Sequence, residues 1–201
     1  TSLADYTPAI SAGHLYVTST SGEVYSVGLG HGALNWKSST GVSAFDADST
    51  LAVADGMLIV SSNINTLYAV DLMHKGKVAW KSSAMAFTPE FAVANHTIYL
   101  ATSPQGPHGS GPSLFALNDA NGHMKWQFTT GYVALNPSVA NGVVYVSADG
   151  PISTNGVFFA VNASTGKKLY SSSGAGPYAS YPAIVNGVVY VSNQAWTVAS
   201  S

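Results

Sequence analysis

The sequence predicts an all-β fold: a β-propeller of four-stranded antiparallel blades, four of them complete and a fifth partial. Three observations carry this. An apolar phrase returns five times, as Gly13-His-Leu-Tyr-Val17, Gly56-Met-Leu-Ile-Val60, His96-Thr-Ile-Tyr-Leu100, Gly142-Val-Val-Tyr-Val146 and Gly187-Val-Val-Tyr-Val191. Its starts lie 43, 40, 46 and 45 residues apart. An aromatic anchor keeps the same phase, with Trp36, Trp80, Trp126 and Tyr170 stepping by 44, 46 and 44. Between the two lies a third phrase: Tyr25-Ser-Val27, Tyr68-Ala-Val-Asp71, Phe115-Ala-Leu-Asn118 and Phe159-Ala-Val-Asn162. Four short strands in such a period are what one propeller blade requires. No stretch shows sustained 3.6-residue periodicity. A β-sandwich also has short strands and frequent turns, but it has no reason to hold aromatic anchors in phase over four units.

Within a unit the elements follow in order. The first strand begins at a proline, as in Pro137-Ser-Val-Ala140. Asn-Gly then closes a two-residue hairpin, because a type I′ turn needs positive φ at both central positions. The second strand is a nearly continuous apolar run, Val143-Val-Tyr-Val146, which predicts burial on both faces. The third carries the aromatic-Ala-Val phrase and ends in a glycine-containing turn, such as Asn162-Ala-Ser-Thr-Gly166. The fourth holds the anchor and alternates with polar residues, as in Met124-Lys-Trp-Gln-Phe128, which suits an outer strand. The blades then span about 8–37, 50–81, 89–128 and 137–171, with a partial unit at 182–201, in a single propeller over 1–201.

Composition narrows the partners. Only 8% of the 201 residues are charged, against about 25% in an average soluble domain. The basic residues are seven lysines, with no arginine, so nucleic acid is not an expected partner. There is no cysteine, which excludes disulfides, thiol catalysis and Cys-ligated metal centres. A surface left to Ser, Thr, Asn and Gly points to an extracytoplasmic protein: secreted, periplasmic or at the cell surface. No apolar run approaches the ~18 residues that cross a bilayer.

The repeat resembles the PQQ-type blade of quinoprotein dehydrogenases and of the outer-membrane assembly lipoprotein family. Tyr68-Ala-Val-Asp71 with Gly76-Lys-Val-Ala-Trp80 carries the likeness most closely. Asn162-Ala-Ser-Thr-Gly-Lys167 matches the turn, although Tyr170 replaces the Trp. The first blade departs further, with Gly28 and His31-Gly32 in place of the acidic residue and the Thr-Gly pair. The resemblance implies that Trp36, Trp80, Trp126 and Tyr170 dock neighbouring blades, each burying a large aromatic area. It also raises PQQ with calcium as a cofactor. Such enzymes resemble this chain in their blades but commonly set two adjacent cysteines against the cofactor, and this chain has none. Asp46 and Asp48 are two carboxylates without further donors, and neither Glu23 nor Glu90 sits in a recognisable ligand cluster. The expectation is no cofactor, no catalytic residue and no metal site.

In a four-stranded meander the connections alternate between two ends. The Asn-Gly and Thr-Gly-Lys turns share one. The other carries the longer and more variable loops, with Phe45, Phe87, His108, Tyr132, Tyr178 and Tyr181. Variable loops with exposed aromatics on a rigid scaffold are where binding usually resides, so these residues form the candidate ligand face. An equally simple reading has the aromatics closing the top of the core. The six histidines fall one per loop or turn, none at metal-ligand spacing, and read as solvated turn residues. Asn95-His-Thr97 and Asn162-Ala-Ser164 fit the N-glycosylation sequon.

Four and a half blades fall short of the seven or eight usual for PQQ-type rings. Three accounts fit: a piece of a longer chain, a five-bladed ring with a ragged last blade, or completion by a protein partner or by self-association through the unfinished blade. The expected function is a non-catalytic binding or assembly scaffold. The alternatives are a fragment of a PQQ-dependent dehydrogenase and the extracellular sensor propeller of a membrane receptor.

Overall fold

The computed structural model describes residues 8–41, 50–62, 66–83, 90–103, 111–149, 156–173 and 182–191. Every regular element among them is a strand. The first sheet is β1 (Ala9–Ser11), β2 (His14–Thr18), β3 (Glu23–Gly28) and β4 (Leu34–Ser39). The second is β5 (Leu51–Ala54), β6 (Met57–Ser62), β7 (Thr66–Asp71) and β8 (Lys77–Ser83). The third is β9 (Glu90–Ala94), β10 (Thr97–Ala101), β11 (Leu114–Asn118) and β12 (Met124–Phe128). The fourth is β13 (Val133–Ala140), β14 (Val143–Asp149), β15 (Val157–Asn162) and β16 (Lys168–Ser173). Each pairs in sequence order, and β17 (Ala183–Val185) with β18 (Val188–Tyr190) makes a two-stranded hairpin. The fold is thus an all-β propeller with four complete four-stranded blades and a partial fifth. The third strand considered for that last unit, at 196–199, lies outside the described residues.

The burial gradient across a blade follows from the sequence. In β6, Leu58, Ile59 and Val60 are wholly buried, and β10 is buried along its length. These are the continuous apolar runs, and both faces of the strand are covered. Fourth strands are exposed at alternate positions, as in β4 and β12, so polar residues there meet water.

The hairpin turns have the backbone that their residues predict. Asn141 and Gly142 have φ of 51° and 75°, and the same pair of positive values recurs in every first hairpin. In the second, third and fourth blades the turn before the fourth strand is fixed by the side chain that opens it: Asp71, Asn118 or Asn162. Asp71 Oδ1 accepts from the amides of Met73 (2.8 Å) and His74 (3.1 Å). Asn162 Oδ1 does the same for Ser164 (3.0 Å) and Thr165 (2.9 Å). An Asx side chain is used here because it can satisfy local amides that no strand reaches.

The third and fourth strands of every complete blade share an irregularity. Register shifts between Ser26 and Val27, Ala69 and Val70, Ala116 and Leu117, and Ala160 and Val161. The residue before each shift is small, and its cross-strand partner is the aromatic anchor: Trp36, Trp80, Trp126 or Tyr170. A bulge re-aims the side chain beside it. The alanine of the third phrase therefore makes room where the fourth strand bends.

One strand differs from its sequence reading. β13 starts at Val133, ahead of Pro137. A proline fits there because β13 edges its sheet and its pairing is interrupted between Leu135 and Ser138.

The chain divides into two compact units. The first holds sheets one and two, with Val93–Thr97 and Asn118–His123 from the turns of the third. Its core packs Tyr16, Val24, Leu58, Val60, Tyr68 and Val70, with Trp36 and Val78 against them. The second unit buries Ile98, Leu100, Leu114 and Leu117 together with Val144 and Val146.

Candidate functional site

The aromatic anchors have a common geometry. A Cβ built on Gly76 would lie 2.3 Å from Cζ3 of Trp36; on Gly122, 2.7 Å from Cε3 of Trp80; on Gly166, 2.8 Å from Cδ2 of Trp126. Each glycine ends the Asx turn of the blade that follows the tryptophan, so only a hydrogen on Cα leaves space for the ring. Trp80 Nε1 donates to the Asp119 carbonyl at 2.7 Å, and Trp126 Nε1 to the Ala163 carbonyl at 2.9 Å. Tyr170 stands at the equivalent position and is 58% exposed.

At the loop end only Tyr132 of the candidate ligand face falls within the described residues. Phe45, Phe87, His108, Tyr178 and Tyr181 lie outside them, as do Asp46 and Asp48. Tyr132 is half-buried. Its backbone is held by Thr130, whose hydroxyl donates to the Tyr132 carbonyl (2.5 Å) and lies 2.6 Å from Ser113 Oγ in a buried pair. Glu23 accepts from the Tyr25 hydroxyl (2.5 Å) and from Lys37 Nζ (3.0 Å). The Tyr25 hydrogen bond first, then Lys37, holds its carboxyl below the usual range.

Both sequon asparagines lie at turns. Asn95 is exposed with φ of 50°, and Thr97 donates its hydroxyl to the Asn95 carbonyl at 3.1 Å. Asn162 spends its side-chain oxygen on the Asx turn, where Thr165 Oγ1 also donates to it at 3.0 Å.

The turn end brings together a group that no sequence spacing reveals. His96 Nδ1 lies 3.0 Å from Asp55 Oδ2 and 3.6 Å from Asp119 Oδ2, and one ligand atom from each residue falls within 4.8 Å of the others. All three residues belong to the first unit. His96 and Asp55 are open to solvent, whereas the Asp119 side chain is 2% exposed. Burial, and then the neighbouring Asp55 carboxyl, push the Asp119 carboxyl above its ordinary value. Among the described residues this is the one grouping of three His, Cys, Asp or Glu side chains within ligand reach of one another. It sits in the turns and offers one nitrogen with two carboxylates, not the all-oxygen shell that calcium prefers beside PQQ. The described residues therefore do not assemble a site for PQQ with calcium, and no chemistry is derived through that cofactor.

Comparison with known proteins agrees with the blade pattern. A tetrathionate hydrolase from Acidithiobacillus ferrooxidans is 29% identical over 143 residues, 60% of this chain and 28% of the hydrolase. BamB from Moraxella catarrhalis superposes with a TM-score of 0.54 at 16% identity, over 84% of this chain and 64% of that one. The quinohemoprotein alcohol dehydrogenase ADHIIG from Pseudomonas putida HK5 gives 0.61 at 16% identity, over 94% and 38%. This chain thus spans less than two thirds of each relative. At these identities the two structural likenesses speak for the fold. The family described as outer membrane protein assembly factor BamB matches residues 2–103 and 73–200. Nearly the whole chain is covered by that match, and the protein belongs to this family of PQQ-type β-propeller repeat proteins.

Proposed function

We propose that the protein is a non-catalytic, extracytoplasmic scaffold that binds a protein partner or organises an assembly. The observation that carries this is the family match across nearly the whole chain, to a family described by an assembly factor. The geometry supports it. Tryptophan-on-glycine joints fix one blade against the next, and a rigid frame leaves the loop end to vary. The absence of cysteine in the sequence weighs against the quinoprotein alternative. Among the described residues no helix is long and apolar enough to cross a membrane.

The docking role of Trp36, Trp80, Trp126 and Tyr170 belongs to the same reading, as does a single propeller over 1–201. The ligand face is then Phe45, Phe87, His108, Tyr132, Tyr178 and Tyr181. Completion of the partial blade, by a partner strand or by a second copy, is part of the proposal.

The test is cell fractionation with cross-linking of wild type and a Tyr132→Ala/Tyr178→Ala variant. Extracytoplasmic recovery of one defined complex, lost in the variant without a change in melting temperature, is expected. Recovery in the cytoplasm would overturn the location, and loss of folding in the variant would return these tyrosines to the core. A second reading, a segment of a PQQ-dependent dehydrogenase, is favoured by the likeness to ADHIIG. Dye reduction that needs PQQ and calcium would establish it in place of the scaffold.

A further inference from the structure

The third blade breaks its own repeat at two turn positions. His96 has φ of 55°, where the other four hairpins place Gly13, Gly56, Gly142 and Gly187. Asp119 follows the Asx residue, where the other complete blades carry Leu29, Leu72 and Ala163. One blade earlier the equivalents of Asp55, His96 and Asp119 are Ala12, Gly56 and Leu72; one blade later they are Asn95, Gly142 and Ala163. Neither set holds a carboxylate or an imidazole. A histidine accepts a glycine conformation, and an aspartate replaces an apolar side chain, in one blade and within reach of one another.

The Asp119 carboxylate is the second observation. It is 2% exposed, and its Oδ2 has no hydrogen-bond donor. A buried carboxylate oxygen without a donor is costly. Asp55 adds a second carboxyl at the same point, so two carboxylates and one imidazole face a single niche.

We propose that Asp55, His96 and Asp119 bind a divalent transition-metal ion of the zinc class, through Oδ2, Nδ1 and Oδ2, with water completing the shell. Ligands about 2.0–2.2 Å from a tetrahedral zinc ion stand roughly 3.3–3.6 Å apart. The 3.0 and 3.6 Å separations need only small side-chain adjustments to meet that geometry. One imidazole with two carboxylates suits zinc, cobalt or nickel; calcium prefers six to eight oxygens. Exposed Asp55 and His96 give the ion a way in, and buried Asp119 anchors it. A bound ion ties the first hairpin of the second blade to both turns of the third.

Chelator-treated protein titrated with zinc chloride by calorimetry tests this. One equivalent per chain is expected, with a rise in melting temperature. His96→Gly and Asp119→Ala each restore a residue type used elsewhere in the repeat. Each should keep the fold and weaken zinc binding by about 10- to 100-fold or more. His74→Ala removes another turn histidine paired with a carboxylate and should leave binding unchanged. Cobalt(II) supplies a readout that needs no variant: d–d absorption bands of a nitrogen–oxygen site in the wild type. Absence of zinc binding and of cobalt bands overturns the site. So does equal loss in His74→Ala, which marks adventitious surface binding, or a response to calcium alone.

Discussion

Trp126 rests on Gly166 so closely that a Cβ on the glycine would stand 2.8 Å from the indole. Gly166 also has φ of 69°, a conformation that side chains resist. Gly166→Ala meets both obstacles and should cost about 3 kcal/mol. Gly142→Ala meets only the second, since φ is 75° and nothing lies within 4 Å. It should cost about 1 kcal/mol. Urea unfolding of the pair measures the difference; equal costs would mean that the indole simply moves aside.

Trp126→Phe keeps a ring but removes the donor to the Ala163 carbonyl. A loss of about 1 kcal/mol is expected, because Ala163 is largely buried and its oxygen keeps only the longer bond from the Tyr99 hydroxyl, at 3.4 Å. Tyr170→Ala should change stability by no more than about 0.5 kcal/mol, since that ring is mostly in solvent. A large effect at Tyr170 would show that the anchor contributes although no described glycine packs against it.

The buried hydroxyl pair below Tyr132 offers a double-mutant cycle. Ser113→Ala and Thr130→Val should each cost about 1–2 kcal/mol, because each leaves a buried partner short of a bond. The double variant should cost clearly less than their sum, with a coupling of about 1 kcal/mol. Additivity would show that the two hydroxyls are satisfied independently.

Acid sensitivity follows from Asp71. The His74 side chain first, and then backbone amides of the turn, hold its carboxyl below the ordinary value of 3.8. A carboxyl depressed in the folded state binds protons more readily when unfolded. Its contribution is therefore complete above about pH 4 and is lost as pH falls through the lower folded value. Asp71→Asn keeps the Asx turn but not the charge, so its stability should fall less steeply than wild type below pH 4. Parallel acid denaturation curves would remove Asp71 from the account.

The strands and hairpins were readable because each depends on residues close in sequence. Asn141-Gly142 sets its own turn, whereas Val143–Val146, expected to be buried on both faces, alternates half-buried Val143 and Tyr145 with buried Val144 and Val146. The bulge beside Trp80 was not readable, because it arises from pairing with Ala69 across two strands. The grouping of Asp55, His96 and Asp119 has no motif, since its members come from three turns in two sheets. One signal was nevertheless present: aligned with its own repeats, the chain shows histidine in a glycine column and aspartate in an apolar one. Most aromatics of the candidate ligand face lie outside the described residues, in stretches of sequence that follow no repeat, so no periodic rule predicts their arrangement.

The tryptophan joint also has a sense. In all three joints among the described residues the ring reaches forward, from the fourth strand of one blade to the turn of the next. A blade thus carries a plug on one side and a socket on the other. Rearranged blades that keep this polarity should still mate, whereas a reversed blade would set plug against plug. Lengthening or circularly permuting the array is then a matter of respecting direction, much as pipe sections join only spigot to bell.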